Sequence, residues 1–474
     1  MGSGVMLGGV VQNLEMGSAA VRRRKRSQRL RGVLGAASTA VLVWALAGGS
    51  ASAQVMYTPV PSWPSGALEP AAVGPEGDTV FNRPRPDYDP LGIRMGSFLV
   101  YPNIGLSETY DSNVFAIPGP PNSPRVRDDW YTTLTPGMAV TSDWSRHAVS
   151  ASVQGETKHY ASLQTENVNN LTSDAQGRYD IGTNEYLLAQ GIYWLQHEDR
   201  ESPDAPGQAR NPLEYHVTGA NLAYYRMPSR IGIRVDATAT SYSFNNATDV
   251  TTNQTINERF RDRIEYVLAP RLTYEIQPGY NAFVRAIGNE RAYNSQEPGA
   301  GPNGENVRRN SHGWEVDGGA AIAITSLLSS ELYVGYQEQD YENPLLKSDT
   351  GVSFGGNLLW NVTPLDTIRG QFSQAIAETT LQGASSSVES NVSITAEHEL
   401  LRNLLVLGSF GYTRDDYQGV TRTDNTYGAN LGARYLLNRN WKATADVTYS
   451  KRDSTDPTSN YDRWIGTVGV SLGF

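Results

Sequence analysis

The 474-residue sequence contains no cysteine. That absence excludes disulfide-stapled scaffolds, thiolate metal sites, cysteine nucleophiles and a lipid anchor on an acylated cysteine. It also lacks, after residue 53, any apolar run near the roughly 20 residues of a membrane-crossing helix, so a helical membrane protein is excluded. Positive charge is scarce beyond the N-terminus. The first 53 residues carry seven basic and one acidic side chain, and without them the formal charge falls from −10 to −16, which excludes nucleic acid as a partner. Hydrophobic residues make up only 39% of the chain and the mean hydropathy is −0.44. The 26 tyrosines are good strand formers, and together these features describe an exported, strand-rich chain.

The export segment is read from its order. A basic run, Arg22-Arg23-Arg24-Lys25-Arg26 with Arg29 and Arg31, precedes the apolar Val33 to Ala47 and then Ala51-Ser52-Ala53. Positive region, apolar region and A-x-A site make residues 1–53 a secretory signal peptide, cleaved before Gln54, with Met16 as an alternative start. Residues 54–96 follow as a linker on the periplasmic side. They carry eight prolines and neither strand nor helix periodicity, so they cannot bury enough apolar surface to offset chain entropy and are expected to be extended or disordered.

From Ser97 to Phe474 the pattern is one of period two. In Trp441 to Ser450 every odd position is apolar or aromatic and every even one polar. Ile231, Ile233, Val235, Ala237 and Ala239 alternate in the same way with Gly232, Arg234, Asp236, Thr238 and Thr240. So do Tyr427 to Leu437, with Leu436 out of step, whereas Leu404 to Thr413 is apolar on both faces. Period two gives a strand one apolar and one polar face.

Short turns separate these strands in pairs: Ser145-Arg146, Gly182-Thr183-Asn184, Pro228-Ser229, Gln277-Pro278-Gly279, Ser326-Leu327-Leu328, Thr363-Pro364-Leu365, Arg402-Asn403 and Asn438-Arg439-Asn440. Nine longer polar connections alternate with those eight turns, the widest being Asp111 to Asp129. The count predicts an all-β fold, a transmembrane antiparallel up-and-down barrel of about 18 strands (16–18) over residues 97–474. Propeller blades share a repeat of about 42 residues, but they need four short strands each with both faces apolar, and here each repeat offers two long ones with one polar face. Backbone groups in a bilayer have no water to bind, so a spanning sheet must close on itself.

Aromatic residues sit at both strand ends. Trp144, Tyr225, Tyr274, Trp360 and Trp441 lie beside short turns and Tyr110, Tyr160, Tyr293, Tyr341, Tyr417 and Tyr461 beside long loops, which suggests two membrane-boundary girdles. The chain ends Val468, Val470, Leu472, Phe474 at alternate positions, similar to the C-terminal signal by which barrel-assembly machinery recognises bacterial outer-membrane proteins.

Arg83-Pro84-Arg85-Pro86-Asp87-Tyr88-Asp89-Pro90-Leu91-Gly92-Ile93-Arg94, then Gly96-Ser97-Phe98-Leu99-Val100-Tyr101-Pro102 and Tyr110-Asp111-Ser112-Asn113-Val114-Phe115, resemble the putative β-barrel porin 2 family of outer-membrane proteins. They resemble most the branch sometimes found beside exopolysaccharide or capsule genes. The resemblance implies a barrel in the outer membrane of a Gram-negative cell and a porin role. It brings no catalytic residues and no cofactor.

Site chemistry is correspondingly thin. Gly351-Val352-Ser353-Phe354-Gly355 matches G-x-S-x-G, but that serine needs a strand-to-helix turn and here lies in an alternating strand. His147, His159, His197, His216, His312 and His398 show no metal-ligand spacing, so no catalytic, cofactor or metal residues are expected. The acidic His197 to Glu201 and Asp415-Asp416 are expected as solvated faces, with divalent cations bridging lipopolysaccharide as the sharper alternative. An 18-stranded barrel is wide enough for an aqueous lumen. Parity then makes Arg234, Asp236, Arg285, Arg369, Arg434, Lys442 and Asp446 candidate pore-lining residues or interior ion pairs. The expected partners are outer-membrane lipids and lipopolysaccharide, the assembly machinery, and small hydrophilic solutes or a polysaccharide. A passive channel is the leading function class, not an enzyme. A structural barrel plugged by its loops, with Glu297 to Asn306 as the constriction, is the alternative, and an outer-membrane hydrolase the remote one.

Overall fold

A computed structural model describes residues 79–119, 127–301, 303–325 and 327–474. The signal peptide and residues 54–78 of the linker lie outside the described residues. Eighteen long strands follow one another: β1 Phe98–Asp111, β2 Asp129–Ser142, β3 Ala148–Tyr160, β4 Val168–Gly182, β5 Glu185–His197, β6 Glu214–Arg226, β7 Ile231–Phe244, β8 Arg263–Gln277 and β9 Tyr280–Tyr293. The second half comprises β10 Ser311–Thr325, β11 Leu328–Tyr341, β12 Asp349–Thr363, β13 Asp366–Ala377, β14 Ser387–Leu401, β15 Leu404–Tyr417, β16 Thr423–Leu436, β17 Trp441–Ser454 and β18 Tyr461–Gly473. Each pairs antiparallel with the next. The ring closes where Asn103–Asp111 of β1 pairs with Ile465–Gly473 of β18, so no free edge remains.

All eight short turns fall where the sequence places them, and the first described residues, from Thr79, and Phe474 lie on their side of the barrel. At the two-residue turn between β8 and β9 Gly279 takes φ +90°, a left-handed conformation that a side chain would strain.

Alternation sets which face is which. Along β7, Ile231 and Ile233 are exposed to the outside while Arg234, Thr240, Tyr242 and Phe244 are buried inside. Outward apolar residues are bare in the isolated chain, Leu431 at 68% and Val468 at 59%, as a lipid-facing band requires. Leu436, the residue out of step in β16, points inward and is buried.

The girdle near the short turns is formed by Trp144, Tyr274, Trp360 and Trp441, all exposed. Tyr225 is not part of it, because its ring stacks on Tyr186 with centroids 4.9 Å apart and Tyr186 is buried on the inner face. At the other end Tyr293, Tyr341, Tyr417 and Tyr461 are buried and Tyr160 stacks on Tyr131; these share the parity of the inward arginines and acids. The outer band there is built instead by Tyr110 with Trp130, Trp314 with Tyr336, Tyr412 with Tyr427 and Tyr449 with Trp464, ring pairs on neighbouring strands. Such cross-strand pairs stabilise adjacent strands by roughly 0.2–1 kcal/mol each.

The described end of the linker, Thr79 to Gly96, is neither disordered nor loose. It runs along the inner rim at the short-turn end and enters β1 through a short strand, Ile93–Met95, laid antiparallel on Phe98–Val100. Thr79 and Val80 are buried. Composition gave no sign of this, because the partners that hold it lie some 300 residues further on.

Candidate functional site in the barrel lumen

The inner face is a lattice of ion pairs. Arg234 Nε and Nη2 donate to Asp236 at 2.7 and 2.9 Å, Arg271 reaches Glu331 at 3.1 Å and Arg285 reaches Asp317 at 2.6 Å. Arg234, Arg271 and Arg285 face one another directly across β7, β8 and β9. Three like charges in a row are tolerable because each has its own carboxylate and two sit on aromatic faces, Arg271 at 3.6 Å from the Phe283 ring centre and Arg285 at 4.7 Å from that of Tyr333.

Asp317, with Asp111 and Asp424, is among the most enclosed of the acids. Besides Arg285 it accepts from Ser353 Oγ at 2.7 Å, although Ser353 is on β12 and Asp317 on β10. The residue between them on β11 is Gly335, and a Cβ there would stand 2.2 Å from the Val316 carbonyl oxygen and 2.4 Å from an Asp317 oxygen. The serine of G-x-S-x-G is thus a buried ligand of a structural carboxylate.

On β13 the inner wall is accessible from the lumen. Arg369 and Gln371 are exposed on the lumen side, and Arg369, with half its side chain accessible, still holds the buried Glu397 at 2.8 Å. Arg434, Lys442 and Asp446 lie together toward the short-turn end, Arg434 with its guanidinium 4.9 Å from the centre of the Phe81 ring. Of the residues chosen by parity, Arg234, Asp236 and Arg285 are thus engaged in ion pairs, Arg434, Lys442 and Asp446 are partly accessible, and Arg369 is the most exposed.

The same Phe81 belongs to the strap Thr79–Leu91 at the short-turn mouth. Val80 N donates to Thr367 Oγ1 at 3.1 Å and Phe81 N to Glu397 at 3.0 Å, while Arg83 and Arg85 both pair with Glu399 and Arg439 donates to the Pro86 carbonyl.

The opposite mouth is crossed by the loop between β5 and β6, residues 198–213. Glu198 is gripped by Arg261 Nη1 and Nη2 at 3.0 and 2.9 Å. Arg463 Nη1 reaches Asp199 and Glu201, each at 3.1 Å, and Arg452 Nη2 donates to the Glu201 carbonyl at 2.6 Å. Asp204 Oδ1 accepts from Thr379 Oγ1, Thr380 N and Thr380 Oγ1 at 3.1, 2.8 and 2.9 Å. Since Thr379 and Thr380 follow β13, the loop spans eight strands of an 18-strand ring, close to a diameter. Between its tip and the wall is a small cavity lined by Asp204, Glu378, Glu389, Asp415 and Tyr417.

The loop expected to constrict the bore, Glu297 to Asn306, lies at this same mouth and packs on the inward-facing Tyr341. It closes on itself through Glu297 and Val307, packs Ala300 and Val307 against Tyr341 and Leu346, and rests on the loop after β13 through Gln382 to the Gly299 carbonyl. The acidic stretches divide: Glu198, Glu201 and Asp415 are buried inside the mouth, whereas Asp199 and Asp416 keep 56% and 38% of their side chains accessible, as a solvated face requires. Sequence reading missed Arg463, Arg261 and Asp204; Arg463 carries a faint signal, sharing the inward parity of Thr467 in the last strand.

Among the described residues no group of three or more histidine, aspartate or glutamate side chains is arranged to hold a metal ion. His147 takes φ +64° at its turn and stacks on Tyr179 at 4.5 Å. His197, His216 and His398 bond to Asn170, Tyr193 and Asp366 respectively.

A closed 18-strand wall with lipid-type aromatics outside and charge inside is a porin-like outer-membrane β-barrel. The chain belongs to the putative beta-barrel porin 2 family, whose family model matches residues 85–474. Solved structures similar to it include OpdK from Pseudomonas aeruginosa in complex with vanillate, at 8% identity and TM-score 0.42 over 79% of this chain and 99% of that one. Others are Pseudomonas aeruginosa OccK3 (OpdO), at 11% identity and TM-score 0.40 over 79% and 95%, and the siderophore receptor PirA from Pseudomonas aeruginosa, at 8% and 0.41 over 79% and 80%. No curated protein matches the sequence.

Proposed function

We propose that the protein, exported by cleavage of residues 1–53, is a diffusion channel of the outer membrane for small hydrophilic solutes. The observation that carries this reading is the accessible inner wall at Arg369 and Gln371 within a closed ring of 18 strands, a circumference that leaves a lumen side chains alone do not fill. Long loops of such barrels face the outside of the cell, so residues 198–213 and 295–308 are extracellular and the strap is periplasmic. Passage of an exopolysaccharide or capsule chain is the more demanding form of the same reading, because the whole crossing loop would have to clear the bore. A structural barrel that never conducts is favoured by one observation, the covering of both mouths. Liposome swelling separates the two: purified protein should admit sugars and amino acids of a few hundred daltons, and liposomes that remain impermeable with folded, heat-modifiable protein would leave the structural reading standing.

A further inference from the structure

We propose that the flap Asp199–Gly207 is a gate, closed in this structure, that swings clear of the extracellular mouth to open the channel; this rests on the channel reading above. The flap is a unit. Its own turns are closed by Ser202 N to Asp199 O and Ala205 N to Ser202 O, and two prolines, Pro203 and Pro206, stiffen it.

Its two ends, by contrast, are fixed. Glu198 N donates to the Leu213 carbonyl across the base of the loop while Arg261 holds the Glu198 side chain. Beyond Gly207, Arg210 N and Val250 N tie the chain to the neighbouring loop through Thr248 O and Gln208 O, and Ala209 and Leu213 are buried with Ile192, Val217, Tyr242 and Phe244 in an apolar cluster. Movement is thus confined to the segment between two anchors, with Gly207 exposed and unhindered at one of them.

Arg200 stays on the buried Glu166 at 2.8 and 3.0 Å at the base of the flap, and what holds the rest shut is polar and replaceable by water. The Thr379 and Thr380 donors to Asp204 can bind water instead. Arg463 does not lose its counter-ion when the flap leaves, because Asp111 takes Nε and Nη2 on the wall side, Nη2 at 2.6 Å. Each of these contacts is exchanged for a contact to water on opening, so the few that hold the tip set a closed state that thermal motion can leave. The groups facing Glu201 from every side are Asp199 on the flap, Arg463 and Tyr461 on β18 and Arg452 on β17; burial, reinforced by Asp199 and opposed by the arginines, pushes the Glu201 carboxyl up to about 7.

The absence of cysteine allows a direct test with the full-length protein in planar bilayers. Asp204→Cys combined with Thr380→Cys should show at least a tenfold loss of conductance when oxidised, restored by dithiothreitol, with both single variants unresponsive. A second variant in which Glu201–Gly207 is replaced by two glycines should conduct severalfold more than the parent and ignore redox state. Conductance equal in the oxidised and reduced double variant, with the cross-link verified by mass spectrometry, overturns the gate and leaves the channel reading intact. Silence of every variant, the shortened one included, overturns the channel reading and the gate with it.

Discussion

Ser353 donates to Asp317 at 2.7 Å over the top of an intervening strand, and only a glycine at 335 leaves room for it. The pair, with Arg285, makes Asp317 a fully enclosed carboxylate whose charge is met from two sides.

Removing the arginine should therefore be far worse than removing the hydroxyl. Arg285→Ala leaves a buried charge uncompensated and is expected to cost about 3–5 kcal/mol, against about 1–2 kcal/mol for Ser353→Ala. Urea titration of the heat-modifiable band measures both. Equal midpoints for the two variants would contradict the ion-pair account.

Selectivity should answer to a different arginine. Arg369 is half accessible inside the bore, where a confined aqueous path magnifies fixed charge. Arg369→Gln should move the cation-to-anion permeability ratio up by about twofold or more. Arg234→Gln, acting on a buried pair, should change stability before it changes selectivity. Reversal potentials in a salt gradient decide between them.

The mouth should respond to pH with a defined sign. Burial, first, and the neighbouring Asp199 push Glu201 from 4.5 to about 7 while the flap is closed; freed by opening, it returns toward the ordinary carboxylate range. A raised value means that the protonated acid favours closure, so that support is complete below about 4.5 and is lost as pH rises through about 7. Open probability should climb severalfold between pH 5 and pH 8, and Glu201→Gln should flatten the rise. A profile that falls over the same window would show the opposite coupling.

Assembly should depend on the last residue. Phe474 is exposed beyond β18, in line with Val468 and Val470, and its N–H donates to Pro102 O at 3.1 Å. Phe474→Asp should lower the heat-modifiable protein in the outer membrane by tenfold or so, read by immunoblot of membrane fractions; unchanged levels would remove Phe474 from the signal.

The wall was legible in the sequence because its code is local. Period-two alternation and turn residues act over neighbours, so 18 strands, eight turns and the inward facing of Arg234, Arg285 and Arg369 could all be read off. Nearness to a loop misled the reading at Tyr293, Tyr417 and Tyr461, whose parity with Arg291, Asp415 and Arg463 points inward and was the better guide. The flap and the strap could not be read at all. Asp204 meets Thr380 across 176 positions and Phe81 meets Glu397 across 316, and no local pattern encodes such a meeting.

The seam between β1 and β18 has a consequence for biogenesis. Arg463, which clips the seam through Asp111, is also the residue that receives Asp199 and Glu201, and it arrives on the last strand of the chain. A nascent barrel lacking that strand has a breach in its side and lacks the Arg463 contacts to Asp199 and Glu201, with only Arg452 and the Thr379–Thr380 pair left to hold the flap. The full latch forms only with the ring closed, so it also serves as a record that the ring has been sealed.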